Sequence, residues 1–253
     1  MPIAKPPAHP KDPLSAAPLA QADWPGDIST RVQQALLALA RPVDLMQQHS
    51  RLSEIPGIFY LEQGAVLMAV PDGEMKSSIG MALGPGDWWG IHAFDPASPR
   101  LFALMELVAQ PVVWLFPKAE VEQLASRQPE VYKWLFAIAL RLHGLRMQLH
   151  LNSWHSLPQR VAYLLLHLGE RCGQPQADGL QLPVSQQQLS QLAGISRPRL
   201  NEVLKQFEGQ GLLQLGRGQI RLLDIPGLRA PLQSLNLMFH DPLQSPDSAA
   251  PQA

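Results

Sequence analysis

Residues 185–223 read SQQQLSQLAGISRPRLNEVLKQFEGQGLLQLGRGQIRLL. The spacing predicts a helix over 186–193, a tight turn, a second helix over about 196–208, and a two-stranded hairpin. Ser185 is a suitable N-cap for the first helix, and Leu189 and Leu192 fall on its inner face. Ser190 is small enough for close helix contact. Gly194 stands where the turn needs a left-handed backbone, which glycine adopts without steric cost. Ile195 fills the space between the helices. Ser196 is the expected cap of the second helix, and Pro198 suits its first turn, where an N–H has no helical partner. Leu200, Val203, Leu204 and Phe207 line one face at helical spacing. Arg197, Arg199, Asn201, Glu202 and Lys205 are left pointing outward.

An ordinary helical hairpin with a solvated charged face would share this spacing. The neighbouring residues separate the two readings. Gly209 and Gly211 end the second helix, and Leu212–Leu215 and Gln219–Leu223 form apolar-rich strands around Gly216-Arg217-Gly218. This is the order of a winged helix-turn-helix, whose second helix enters the DNA major groove. Arg197, Arg199 and Asn201 are the candidates for base readout. Lys205, Arg217 and Ser185 are the candidates for phosphate contact, with Ser196 at the helix start between them. A scaffold with a degenerate helix-turn-helix is a rival reading, but no core requirement places Arg197, Arg199 and Arg217 outside.

The charge distribution agrees. The chain has 253 residues and a net charge of −1. Residues 153–230 hold eight Lys/Arg against five Asp/Glu, a net of +3, whereas 1–152 hold twelve against fourteen. The positive excess lies where DNA would bind, and it is modest, so strong affinity calls for two modules acting together. The single cysteine, Cys172, excludes an intramolecular disulfide. No apolar run approaches the roughly 20 residues needed to span a bilayer, and no signal pattern opens the chain, so no membrane partner and a cytoplasmic location are expected.

Outside the winged segment (156–230, with a helix over 158–172 and a loop at 173–179), composition divides the chain further. Residues 1–26 contain seven prolines, and 241–253 are rich in Pro, Ser, Ala and Gln; both read as disordered tails. Residues 28–128 start with a short helix at Thr30–Ala40. Glycine-punctuated strands at 57–62, 65–70, 76–83 and 111–116 follow, suggesting a small antiparallel roll. A short helix at about 118–126 leads into a long one over 129–155. There Val131, Leu135, Ile138, Leu142, Leu145, Leu149 and Asn152 form a heptad seam over about 31 Å. The seam predicts a parallel homodimer axis, with Trp134, Phe136, Ala137, Ala139 and Met147 turned towards the roll. The expected class is α+β.

The core of the chain, about 28–230, resembles the Crp–Fnr family of bacterial transcription regulators. The resemblance rests on Leu83-Gly-Pro-Gly-Asp-Trp-Trp-Gly90, Pro99-Arg100, the heptad helix, Pro158-Gln-Arg160-Val161 and Ala193-Gly-Ile-Ser-Arg197. It implies an effector-binding β-roll resembling a cyclic-nucleotide-binding domain, a dimerising helix, a C-terminal winged helix-turn-helix and RNA polymerase as a partner. It also implies that Arg197 takes the place of a guanine-reading arginine, whose fork matches two major-groove acceptors.

The departures bear on specificity. Pro198 stands where the family usually has a base-reading glutamate, and Glu202 where a basic residue is frequent, so the operator is expected to differ from the common half-site. In the effector cassette, Gly90-Ile91-His92-Ala93 lacks the glutamate that holds a ribose hydroxyl. Arg100 is followed by Leu101-Phe102 rather than a small polar residue and alanine, and Leu145 and Arg146 stand where cyclic-AMP binders offer hydroxyls. Asp44–Pro56 leaves little room for the usual first hairpin. Cyclic AMP is therefore not expected as the effector. Arg100, Trp88, Trp89 and His92 are the candidate lining of a pocket for another small molecule, apolar or anionic; the alternative is that Trp88 and Trp89 are core and Arg100 a surface ion-pair partner. Haem held by His92, a methionine or Cys172 is a further alternative, without a ligand motif. The chain has no His-x-His, nucleophile elbow, P-loop or paired-carboxylate signature, so no enzyme activity and no metal site are expected.

Overall fold

The computed structural model describes residues 19, 22–44, 55–71, 78–95, 97 and 103–243. Its elements in chain order are α1 (Thr30–Leu37), β1 (Arg41–Val43), β2 (Gly57–Pro71), β3 (Ser78–Leu83), β4 (Trp88–Trp89), β5 (Ala103–Pro117), α2 (Lys118–Arg127), α3 (Val131–Asn152), α4 (Leu157–Cys172), β6 (Gln174–Gln176), β7 (Gly179–Leu182), α5 (Gln186–Ala193), α6 (Arg197–Gly209), β8 (Leu213–Gly216), β9 (Gln219–Leu222) and α7 (Ile225–Arg229). The architecture is α+β, an antiparallel roll followed by the long α3 and a winged helix-turn-helix.

The roll is a five-stranded antiparallel sheet in the order β1-β5-β2-β3, with β4 paired to β2. The expected strands 57–62 and 65–70 are one strand, β2, paired along its length with β5. Gln63-Gly64 is not a turn between two strands. It is an irregularity, with register shifts between Leu61 and Val66. Gly64 has φ +85°, and a Cβ there would lie 2.8 Å from Pro111 Cα, so the backbone crosses where no side chain fits. The Gly84-Pro85-Gly86-Asp87 turn is present: Asp87 Oδ2 accepts from Gly84 N at 2.8 Å, and Gly86 takes φ +89°.

The N-terminal segment is a correction. Leu19 is fully buried, and Trp24 packs against both Trp88 (centroids 5.0 Å apart) and Trp134 (6.2 Å), which also touch each other at 5.5 Å. Trp88 Nε1 donates to Asp23 O at 3.1 Å, and Arg141 pairs with Asp23 at 2.8 Å. The described part of 1–26 therefore contributes core that its prolines disguise. Residues 1–18 and 244–253 lie outside the described residues. At the other end Asp241, read as tail, pairs with Arg229 at 2.8 Å.

The heptad seam of α3 is the second correction. Val131, Leu135, Ile138, Leu142 and Leu145 are 0–9% exposed and join the roll's own hydrophobic core, Leu149 packs against that core, and Asn152 is buried too. The seam attaches α3 to its own chain. The apolar residues left outside are on the opposite face: Tyr132 (59% exposed), Phe136 (64%) and Leu140 (52%). Phe136 thus points away from the roll rather than towards it. Heptad spacing reports an apolar stripe but not what covers it, and α3 carries two such stripes.

The winged segment forms a four-stranded sheet, β6-β7-β9-β8, packed on α4, α5 and α6. The expected loop 173–179 is a short antiparallel pairing of β6 with β7. This unit rests on the roll. Ala65, Leu67, Ala82 and Leu107 of the sheet share one hydrophobic cluster with α4 residues such as Val161 and Leu165. Arg171 on α4 pairs with Asp87 of the roll's turn at 2.9 Å.

Candidate nucleic-acid interface

The helix-turn-helix is built from local interactions that follow the sequence closely. Ser185 Oγ accepts from Gln188 N at 3.2 Å while Gln188 Oε1 accepts from Ser185 N at 2.9 Å, a capping box that starts α5. Gly194 ends it at φ 60°, ψ 34°, the left-handed region. Ile195 N then donates to Ser190 O at 3.1 Å, closing the turn. Arg160 on α4 donates to Ala193 O at 3.2 Å, tying the turn to the helix beneath it. Ser196 occupies the cap position of α6 with extended backbone, but its side chain makes no capping hydrogen bond, so its expected role rests on backbone geometry alone.

On α6, Leu200, Val203, Leu204 and Phe207 are buried against α4 and the sheet. Arg197, Arg199, Glu202 and Lys205 are exposed. None of the three cations forms an ion pair among the described residues. Asn201 is half-buried, with its Oδ1 enclosed and without a hydrogen-bond partner among the described residues. It is turned further inward than Arg197 and Arg199. Ser185 is half-buried at the start of α5.

The wing is held to α6 by a contact that sequence reading missed. Glu208 Oε1 accepts from Leu215 N at 2.8 Å, and Leu212 N donates to Phe207 O at 3.0 Å. The β8–β9 hairpin turns at Arg217-Gly218, with Gly218 at φ +74° and Arg217 exposed at the tip. The structure therefore presents Arg197, Arg199, Lys205 and Arg217 on exposed surface of the helix-turn-helix and its wing.

Three of the four candidate effector residues, Trp88, Trp89 and His92, lie among the described residues. Trp88 and Trp89 are buried core: Trp88 sits among Trp24, Tyr60, Phe116 and Trp134, and Trp89 stacks on Phe59 at 5.1 Å. His92 lies on a short 3-10 turn, with its Nε2 3.5 Å from Arg146 Nη2. Burial, and then the Arg146 charge, hold its imidazole below the ordinary value, against Asp95. Arg100 lies outside the described residues. Cys172 is buried, its thiol donates to Leu168 O at 3.2 Å, and burial pushes it up to about 12. Among the described residues no helix is long and apolar enough to cross a membrane.

Known proteins share this arrangement. Residues 159–230 match the Crp-like helix-turn-helix domain. The chain is 27% identical over 177 residues to the HTH-type transcriptional regulator Cmr of Mycobacterium tuberculosis, spanning 70% of this chain and 69% of that protein. It is 28% identical over 162 residues to the cAMP-activated global transcriptional regulator CRP of Haemophilus influenzae, spanning 62% and 70%. In fold it is similar to the c-di-GMP responsive global regulator CLP of Xanthomonas campestris, with TM-score 0.60 and 20% identity over 77% of this chain and 99% of that one. Residues 159–230 thus carry a Crp-like helix-turn-helix domain, and the roll-to-wing fold is similar to that of these transcription regulators.

Proposed function

We propose that the chain acts in the cytoplasm as a homodimer that binds double-stranded DNA sequence-specifically and regulates transcription together with RNA polymerase. The observation that carries this reading is the division of α6, which buries Leu200, Val203, Leu204 and Phe207 while Arg197, Arg199 and Lys205 stand free on its outer face. Two such helices lie in successive major grooves about one helical turn apart. Arg197 reads a base pair, Arg199 and Asn201 assist, and Lys205, Arg217 and Ser185 hold phosphates. The dimer is supported by the exposed apolar stripe Tyr132, Phe136 and Leu140 on α3.

The roll, on this reading, does not bind cyclic AMP in the family's usual mode. The cassette lacks the ribose-holding glutamate, and Trp88 is packed into an aromatic core with Trp24, Phe116 and Trp134. Pro198 removes a base contact, so the operator departs from the common family half-site.

Selection of bound duplexes from a random-sequence library by the full chain tests the proposal. It is expected to enrich a two-fold symmetric pair of half-sites about 10 base pairs apart, centre to centre. Recovery of DNA with no enriched sequence would contradict it.

A further inference from the structure

His167, Glu170 and His240 converge where α4 meets the C-terminal segment, and their ligand atoms all lie within 4.8 Å of one another. His240 Nε2 is 3.2 Å from Glu170 Oε2. In a tetrahedral site with metal–nitrogen and metal–oxygen bonds of about 2.0–2.1 Å, ligand atoms stand about 3.3 Å apart. That pair already has the separation a shared ion imposes. His167 Nδ1 is 3.8 Å from the same oxygen, too long for a hydrogen bond and one small rotamer adjustment from the same spacing.

His167 is the independent sign of a missing partner. It is 1% exposed, and neither ring nitrogen has a hydrogen-bond partner among the described residues. A buried imidazole left in this way is destabilising, and a metal ion would satisfy it. His240 is oriented for the same role: Tyr163 Oη lies 2.8 Å from its Nδ1, which turns Nε2 towards Glu170. Metal-bound histidines are commonly held through their second nitrogen in this manner.

We infer that His167, Glu170 and His240 form a binding site for a divalent transition metal ion of the zinc class, fastening the C-terminal segment to α4.

The donor set selects the ion. Two imidazoles and one carboxylate suit zinc, cobalt, nickel or copper, whereas calcium and magnesium take oxygen ligands. Arg171 Nη1 pairs with Asp87 at 2.9 Å, while its Nη2 stands 3.4 Å from His240 Nε2 and its Nε 3.8 Å from Glu170 Oε2, so an ion would have to displace the guanidinium from these two contacts. The three residues leave a fourth coordination position for water. The site lies beside the Arg171–Asp87 contact, so an ion there would brace the seat of the winged unit on the roll.

Cobalt(II) titration of the chelator-treated full chain, followed by visible absorption, tests the site. One equivalent is expected to give the d–d bands of low-coordinate nitrogen-bound cobalt, which zinc(II) then bleaches. His240→Ala and Glu170→Gln should each abolish these bands, and Tyr163→Phe should weaken binding about tenfold. Absence of the bands in the unaltered chain, or their persistence in both His240→Ala and Glu170→Gln, would overturn the assignment.

Discussion

Arg171 Nη1 lies 2.9 Å from Asp87 Oδ1, joining α4 of the winged unit to the Gly84-Pro85-Gly86-Asp87 turn of the roll. The other oxygen of Asp87 accepts from Gly84 N, so one carboxylate holds both the shape of the turn and the helix that rests on it. The approach is close enough to exclude side chains: a Cβ on Gly84 would lie 2.6 Å from Arg171 O. Both charged side chains are largely shielded, at 17% and 19% exposure. Asp87→Ala removes the pair and the turn bond and leaves the guanidinium with only its longer contacts to Glu170 and His240. It is expected to lower unfolding stability by about 2 kcal/mol in urea denaturation. An unchanged midpoint would show that the contact does not hold the two parts together.

The two stripes of α3 give opposite expectations. Phe136→Glu places a charge on the exposed stripe and is expected to yield folded monomers in sedimentation. Leu142→Lys buries a charge in the chain's own core. It is expected to cost several kcal/mol and to melt the fold rather than dissociate it cleanly. A well-folded monomeric Leu142→Lys protein would return the dimer axis to the inner seam.

The roll's interior bears on the effector. With Trp88 packed in core against Trp24 and Trp134, and no glutamate after Gly90, calorimetry of the full chain with cyclic AMP or cyclic GMP is expected to show no binding heat. Micromolar binding of either would contradict the proposed loss of cyclic-nucleotide recognition.

What was legible in the chain follows the range of the forces involved. The helix α5 spans the expected 186–193, because a cap at Ser185 and a left-handed glycine at 194 act within one turn of their own residues. The wing strands, Leu213–Gly216 and Gln219–Leu222, lie within one residue of the expected bounds for the same reason. The inner seam of α3 was visible as periodicity, but its occupant was not. A stripe packed on the same chain and one packed on a second copy obey the same spacing. Trp24 and His240 were missed altogether. Their partners lie far along the chain (Trp88 and Trp134 for the first, Tyr163 and Glu170 for the second), and proline-rich or tail-like surroundings gave no local pattern to announce them. Trp88 and Trp89 carry the chemistry of a ligand wall and of a core equally well, and their burial against Trp24, Trp134 and Phe59 is long-range packing that no local pattern announces.

The central claim is that Arg197 reads sequence from the exposed face of α6. The most direct measurement compares the unaltered chain with Arg197→Ala on a selected operator and on scrambled duplex at the same salt concentration. The account predicts a loss of about 1–3 kcal/mol on the operator, roughly 5- to 150-fold in affinity, with far less change on scrambled DNA. Equal losses on both duplexes would make Arg197 a phosphate contact and contradict the account.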